Sequence, residues 1–258
     1  MKKFSHVIVK RPCKAMTEGI TSGLYPGKPD YELALKEHDD YIEALKKCGV
    51  DVLVLDADER FPDSCFVEDA ALMTRKCAII TNPGAESRNG EKVEILAAVK
   101  KFYSDDKIEH IEAPGTLDGG DVMMVGDHFY VGASARTNKE GIRQLTEILK
   151  KYDMTCSEVE LKEVLHLKTG VNYLENDNML VCGEFTEKEE FKKYNKTIIP
   201  EDEAYAANCI WVNDTVIVPT GYPKVLEAVQ KLGYKTLTVD TSEYRKLDGG
   251  LSCLSLRF

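Results

Sequence analysis

The stretch NCIWVNDTVIVPTGYPKVLEAVQKLGYKTLTVD (residues 208–240) contains two apolar runs, an amphipathic segment and a third apolar run, in that order. Asn213-Asp214 interrupts the first two runs midway, as a hairpin turn requires. The segment from Val225 carries apolar residues at helical spacing, then passes through a short turn into the last run. The local reading is hairpin, helix, strand.

The same order recurs along the chain. Hairpin-like runs stand at ALMTRKCAIIT (71–81), VMMVGDHFYVG (122–132) and NYLENDNMLVCG (172–183), with Gly126-Asp127 and Asn176-Asp177 as breakers. Helix-to-strand runs follow at EILAAVKKFYSDDKIEHIEA (94–113), IRQLTEILKKYDMTCSEVEL (142–161) and, more weakly, EKEEFKKYNKTIIPED (187–202). A further copy, YIEALKKCGVDVLVLDAD (41–58), has its helix ended by Gly49 at a left-handed cap but lacks a hairpin. The terminal runs SHVIVK (5–10) and LSCLSLRF (251–258) can supply the missing strands. A repeat of about 50 residues built this way predicts an α/β fold of five ββαβ units. The expected ring is closed by the N- and C-terminal strands, which removes exposed sheet edges and ties down Cys253 in the last strand. No Pro-, Gly- or Ser-rich linker divides the chain, so residues 1–258 are expected to form one domain. The stretch MTEGITSGLYPGKPD (16–30) reads as a loop, either a mobile lid or a plain surface connection.

Composition narrows the function. The chain has 258 residues, 43% of them hydrophobic, and a formal net charge of −10. That charge argues against a nucleic-acid partner. The N-terminal apolar patch is too short for a signal sequence, and no run reaches membrane-spanning length, so a cytoplasmic protein without membrane association is expected. Eight cysteines show neither metal-ligand spacing nor a disulfide framework. No metal and no organic cofactor is expected.

Chemistry-bearing residues gather at run-to-turn borders. PDSCFVED supplies Asp63, Glu68 and Asp69; GTLDGGDV supplies Asp118 and Asp121; VLHLKTG supplies His166; two loops supply Arg88 and Arg136. Taken singly, each is also what a turn, a core or a solvated loop would use. Taken together they suit an arginine derivative. Carboxylates match a guanidinium, paired arginines match an α-carboxylate, and a cysteine with a histidine suits nucleophilic attack with proton transfer.

FPDSCFVEDAAL, NPGAESRNGE, GTLDGGDV, VGASARTNKEG, VLHLKTG, YAANCIWVN and DTSEYRKLDGGLSCLSLRF resemble, in order and spacing, the dimethylarginine dimethylaminohydrolase family. The resemblance implies a five-bladed α/β-propeller and hydrolysis of methylated arginines to citrulline through a covalent cysteine adduct. By motif it implies Cys253 as nucleophile, His166 as general acid and base, and Asp118 as a carboxylate that binds guanidinium and orients His166. It also implies Asp63, Glu68 and Asp69 around the guanidinium, Arg88 and Arg136 at the substrate carboxylate, and Ile20 and Leu247 as apolar contacts. A homodimer is left open. Rival readings are arginine deiminase, agmatine deiminase or an amidinotransferase of the same superfamily, and a non-catalytic binder on the same fold. Arginine deiminase would need a helical insertion for which this chain has no room. Agmatine has no carboxylate for Arg88 and Arg136 to hold.

Overall fold

The computed structural model describes residues 4–258. Along the chain run β1 (His6–Lys10), α1 (Tyr31–Lys47) and β2 (Asp51–Leu55), then β3 (Ala71–Met73), β4 (Ala78–Ile80), α2 (Lys92–Val99) and β5 (Ile108–His110). Next come β6 (Val122–Val125), β7 (His128–Ala133), α3 (Lys139–Lys151) and β8 (Thr155–Glu160). A short α4 (Leu167–Gly170) leads into β9 (Val171–Tyr173), β10 (Asn178–Val181) and β11 (Asn195–Ile198). The chain ends with β12 (Ile210–Val212), β13 (Thr215–Pro219), α5 (Pro223–Lys231), β14 (Lys235–Val239), α6 (Ser242–Arg245) and β15 (Leu256–Arg257).

These strands form five three-stranded sheets. In each, an antiparallel pair is joined by a parallel third strand, the register of β13 running Thr215↔Lys235 to Pro219↔Val239. The sheet β15-β1-β2 joins the two ends of the chain, with Val7 opposite Arg257 and Ile8 opposite Leu256. Five three-stranded units closed by the terminal strands are therefore present, as expected, and four of them carry an α-helix before the third strand.

Closure follows from alternation. On each middle strand, neighbouring residues enter different cores: Ile8 packs with Ile80 and Ile95, whereas Val7 and Val9 pack with Tyr41, Ile217 and Leu251. Phe129 and Val131 pack with Leu72 and Ile79, while Tyr130 packs with Met179 and Val181. Leu180 then packs with Val216 and Val218. Each core thus lies between successive sheets, and the fifth brings the last sheet back to the first. A middle strand buried on both faces reads as a continuous apolar run, which is why the runs lack polar alternation.

Two expectations are corrected. The stretch 187–202 forms no α-helix; a short 3-10 turn at Glu189–Phe191 precedes β11 there, following another at Gly183–Phe185. Their buried aromatics Phe185 and Phe191 are six residues apart, too far round an α-helix to share one face. Cys253 is not in the closing strand. It sits in a 3-10 turn, Ser252–Leu254, just before β15.

Candidate active site

Loops between the sheets enclose a cavity of about 840 Å³. Ile20, Asp63, Glu68, Asp69, Arg88, Arg136, His166, Leu247 and Cys253 all line it. Residues from position 20 to position 253 therefore converge on one space. Asp118 is completely buried and stands behind His166 rather than on the cavity wall.

His166 caps the start of α4 and is fixed from both sides. Its Nε2 is 3.1 Å from Oδ2 of Asp118, whose Oδ1 accepts from the backbone N–H of Gly84 at 2.8 Å. The next residue, Leu167, donates its N–H to Asp121 at 3.0 Å, and Asp121 also accepts from Ser134 and Thr137. Gly120 lets the ring approach: a Cβ there would lie 2.8 Å from Nδ1. Burial alone would lower the imidazole's proton affinity. Asp69, the bond to Asp118, and the charges of Asp121 and Asp118 outweigh it and raise the pKa to about 9. His166 is thus a cation at neutral pH. One atom each of Asp69, Asp118 and His166 lie within 4.8 Å of one another, so the imidazolium already supplies a positive charge to that carboxylate pair.

Cys253 is prepared the opposite way. Burial, then the charges of Glu68 and Asp69, push its thiol up to about 12, although Gly250 donates its N–H to Sγ at 3.4 Å. The turn that carries it is pinned by Ser252, whose N–H donates to Asn208 Oδ1 at 2.9 Å and whose hydroxyl donates to Glu68 at 2.8 Å. The Gly249-Gly250 pair makes this path possible, because a Cβ would come within 2.2 Å of the Phe66 ring and 2.6 Å of Asn208.

The acidic wall is held by internal cations. Arg88 is buried; it donates to Asp69 and to both oxygens of Glu91, and to the carbonyls of Asp63 and Phe66. Burial opposes the Asp69 charge, but Arg88 and then His166 hold this carboxyl well below the usual range. Glu91 fares differently: burial, only partly offset by Arg88, raises its carboxyl to about 7. Glu68 bonds to Lys168 Nζ and Ser252 Oγ, 3.5 Å from Arg257, and is not free for a ligand. Asp63, its pKa raised by burial, accepts the N–H of Ile20 at 3.0 Å and so anchors the 16–30 loop.

The two arginines expected to act as a pair therefore differ. Among the described residues the Arg136 guanidinium makes no hydrogen bond and approaches only Asp118, at 3.9 Å. Arg88 retains at most one N–H, on Nη1. Lys168, Asn208 and Ser252 complete the site but carried no role in the sequence reading. Lys168 stands inside the quoted motif LHLKTG, where only His166 was singled out, whereas Asp121, read as a carboxylate open to a ligand, is completely buried and bonded to Leu167, Ser134 and Thr137.

A family model described as "N,N dimethylarginine dimethylhydrolase, eukaryotic" matches residues 27–210. The chain is 57% identical over 255 residues to N(G),N(G)-dimethylarginine dimethylaminohydrolase of Pseudomonas aeruginosa, covering 99% of this chain and 100% of that protein. A crystal structure of the P. aeruginosa protein, a Cys-to-Ser variant complexed with citrulline, matches with a TM-score of 0.97 over 99% of both chains. A His-to-Gly variant of a dimethylarginine dimethylaminohydrolase, as an adduct with S-methyl-L-thiocitrulline, matches equally well, at 0.97 over 99% of this chain and 100% of that one.

Proposed function

The chain belongs to the dimethylarginine dimethylaminohydrolase family, and from that premise we propose how its own residues carry the reaction. It is a dimethylargininase that hydrolyses methylated arginines to citrulline. Cys253 is the nucleophile and His166 the proton carrier. The observation that supports these roles is that both line one cavity, with the imidazole held protonated and the thiol held neutral. The relatives crystallised with citrulline and with a thiocitrulline adduct are a cysteine and a histidine variant, respectively, in keeping with this pairing.

The guanidinium binds against Asp63 and Asp69, and Arg136 takes the α-carboxylate. Arg88 can add one N–H there, but its larger contribution is to keep Asp69 ionised. Asp118 acts through His166 and is a positioning residue. The incoming cation compensates Glu68 and Asp69 beside Sγ, so the thiol loses its proton to solvent in the complex. The thiolate adds to Cζ. His166 gives its proton to the departing nitrogen, the C–N bond breaks and dimethylamine leaves neutral. An S-alkylthiouronium remains. His166, now neutral, takes a proton from water, the hydroxide adds to the same carbon, and the C–S bond breaks as the hydroxyl proton passes to sulfur, releasing citrulline and the thiol. We place the protein in the cytoplasm, in keeping with its reduced cysteines.

The test has two parts. Thiolate absorbance is titrated with and without a non-reactive arginine analogue, and the midpoint should fall by more than one unit when the analogue binds. Cys253→Ser should release neither citrulline nor dimethylamine from asymmetric dimethylarginine while still binding the analogue. Full turnover by Cys253→Ser would remove the assignment.

A further inference from the structure

The segment from Phe61 to Ala70 is a shared wall. Asp63, Phe66, Glu68 and Asp69 face the cavity described above, whereas Phe61, Ser64, Val67 and Ala70 line a second cavity of about 430 Å³. Its far side is α2, which contributes Ile95 and Ala97, together with Lys10, Glu91 and Glu94. The volume lies in the range of small-molecule sites.

Two independent features point to a ligand. Ser64 Oγ is buried and has no hydrogen-bond partner among the described residues. A hydroxyl left so is costly unless something arrives to bond it. The charges lining the cavity also fail to cancel. Lys10 pairs with Glu94 and Arg60 with Asp58, but Glu91 must share the single guanidinium of Arg88 with Asp69. Glu91 therefore has no cation to itself, and burial, to which the charges of Asp63 and Asp69 add, makes its carboxyl hold its proton readily. An anion is repelled by this arrangement, and a neutral apolar molecule leaves both polar groups unanswered.

We propose that this second cavity binds a small organic ammonium ion, its –NH3+ donating to Ser64 Oγ and the Glu91 carboxylate and its apolar chain lying against Phe61, Val67 and Ile95. Because Glu91 and Arg88 are bonded, occupancy is transmitted to Asp69 on the other face of the wall. The site is separate from the one that hydrolyses methylarginine.

The test uses the full chain with citrulline saturating the first cavity, and n-hexylamine, 1-hexanol and hexanoate as probes in calorimetric titrations. Hexylammonium should bind with one-to-one stoichiometry, hexanol at least tenfold more weakly, and hexanoate not at all. Ala97 lies on the exposed side of α2, so Ala97→Trp should fill the mouth and abolish binding with turnover unchanged. Ser64→Ala, which keeps the fold, should weaken binding about tenfold. The proposal is overturned if citrulline displaces the amine, if hexanol binds as tightly, if Ala97→Trp still binds, or if the wild type shows no saturable binding.

Discussion

His166 is a cation and Cys253 a neutral thiol because of what surrounds them, and both states have measurable consequences. For His166 the folded value of about 9 lies above the ordinary 6.5. Its protonation therefore favours the folded state, a contribution fully present below pH 6.5 and lost as pH rises through about 9. Wild type and His166→Gln should be compared by urea unfolding at pH 6 and pH 10. The wild-type advantage should shrink by on the order of 3 kcal/mol across that interval. A difference that stays flat would mean the imidazole is neutral at rest. Asp118→Asn keeps the shape of the partner but removes its charge. The alkaline limb of kcat against pH should then shift to lower pH, and the rate near neutrality should fall about 100-fold or more. A purely structural role for Asp118 would lower activity without moving that limb.

At the scale of elements, the 16–30 loop is fastened to the segment that precedes the nucleophile. Thr21 Oγ1 donates to the carbonyl of Lys246 at 2.9 Å, and Ser22 donates its N–H and its hydroxyl to the two oxygens of Asp248. Tyr25 packs edge-on to Tyr205 at 6.0 Å, with the Arg245 guanidinium over both rings. Asp248 has φ +60°, a conformation glycine adopts without strain, so Asp248→Gly removes the clasp and leaves the backbone path. KM should rise about tenfold, from the loss of charged hydrogen bonds, and proteolysis within residues 20–27 should quicken while the melting temperature holds. An unchanged KM would make the loop a plain connection. The sequence reading left open lid or surface loop, because glycines and prolines report backbone freedom and say nothing of a partner more than 200 residues away. Helices and hairpins were legible for the opposite reason. Asn213, with its positive φ, and the periodic face of α3 are local features. The missing helix at 187–202 shows the limit of that logic, since the stretch followed the repeat in sequence while its aromatics Phe191 and Tyr194 pack with the neighbouring sheets. Cys253 was misplaced by a few residues because the turn around it is set by Phe66, Asn208 and Glu68, all distant in sequence.

For the whole molecule, ring closure and chemistry depend on the same three residues. Phe258 exchanges backbone hydrogen bonds with His6 and also accepts from Ser5, while its ring packs against Phe102 and Tyr103. Leu256 fills the core between the first two sheets. Arg257 donates to the carbonyl of Ser252 and to the Ser255 hydroxyl, bracing the turn that holds Cys253. Removing residues 256–258 forfeits two large apolar side chains, worth about 2 kcal/mol each, and several hydrogen bonds, worth about 1 kcal/mol each. That total approaches the roughly 5–15 kcal/mol that holds a typical domain together. The truncated chain should melt far below the wild type or fail to fold, with no turnover. Phe258→Ala keeps β15 and its backbone bonds, and should cost about 2–4 kcal/mol while retaining most activity. If the truncated chain keeps both its melting temperature and its turnover, the nucleophile is held by Asn208 and Glu68 alone, and closure of the ring is incidental to catalysis.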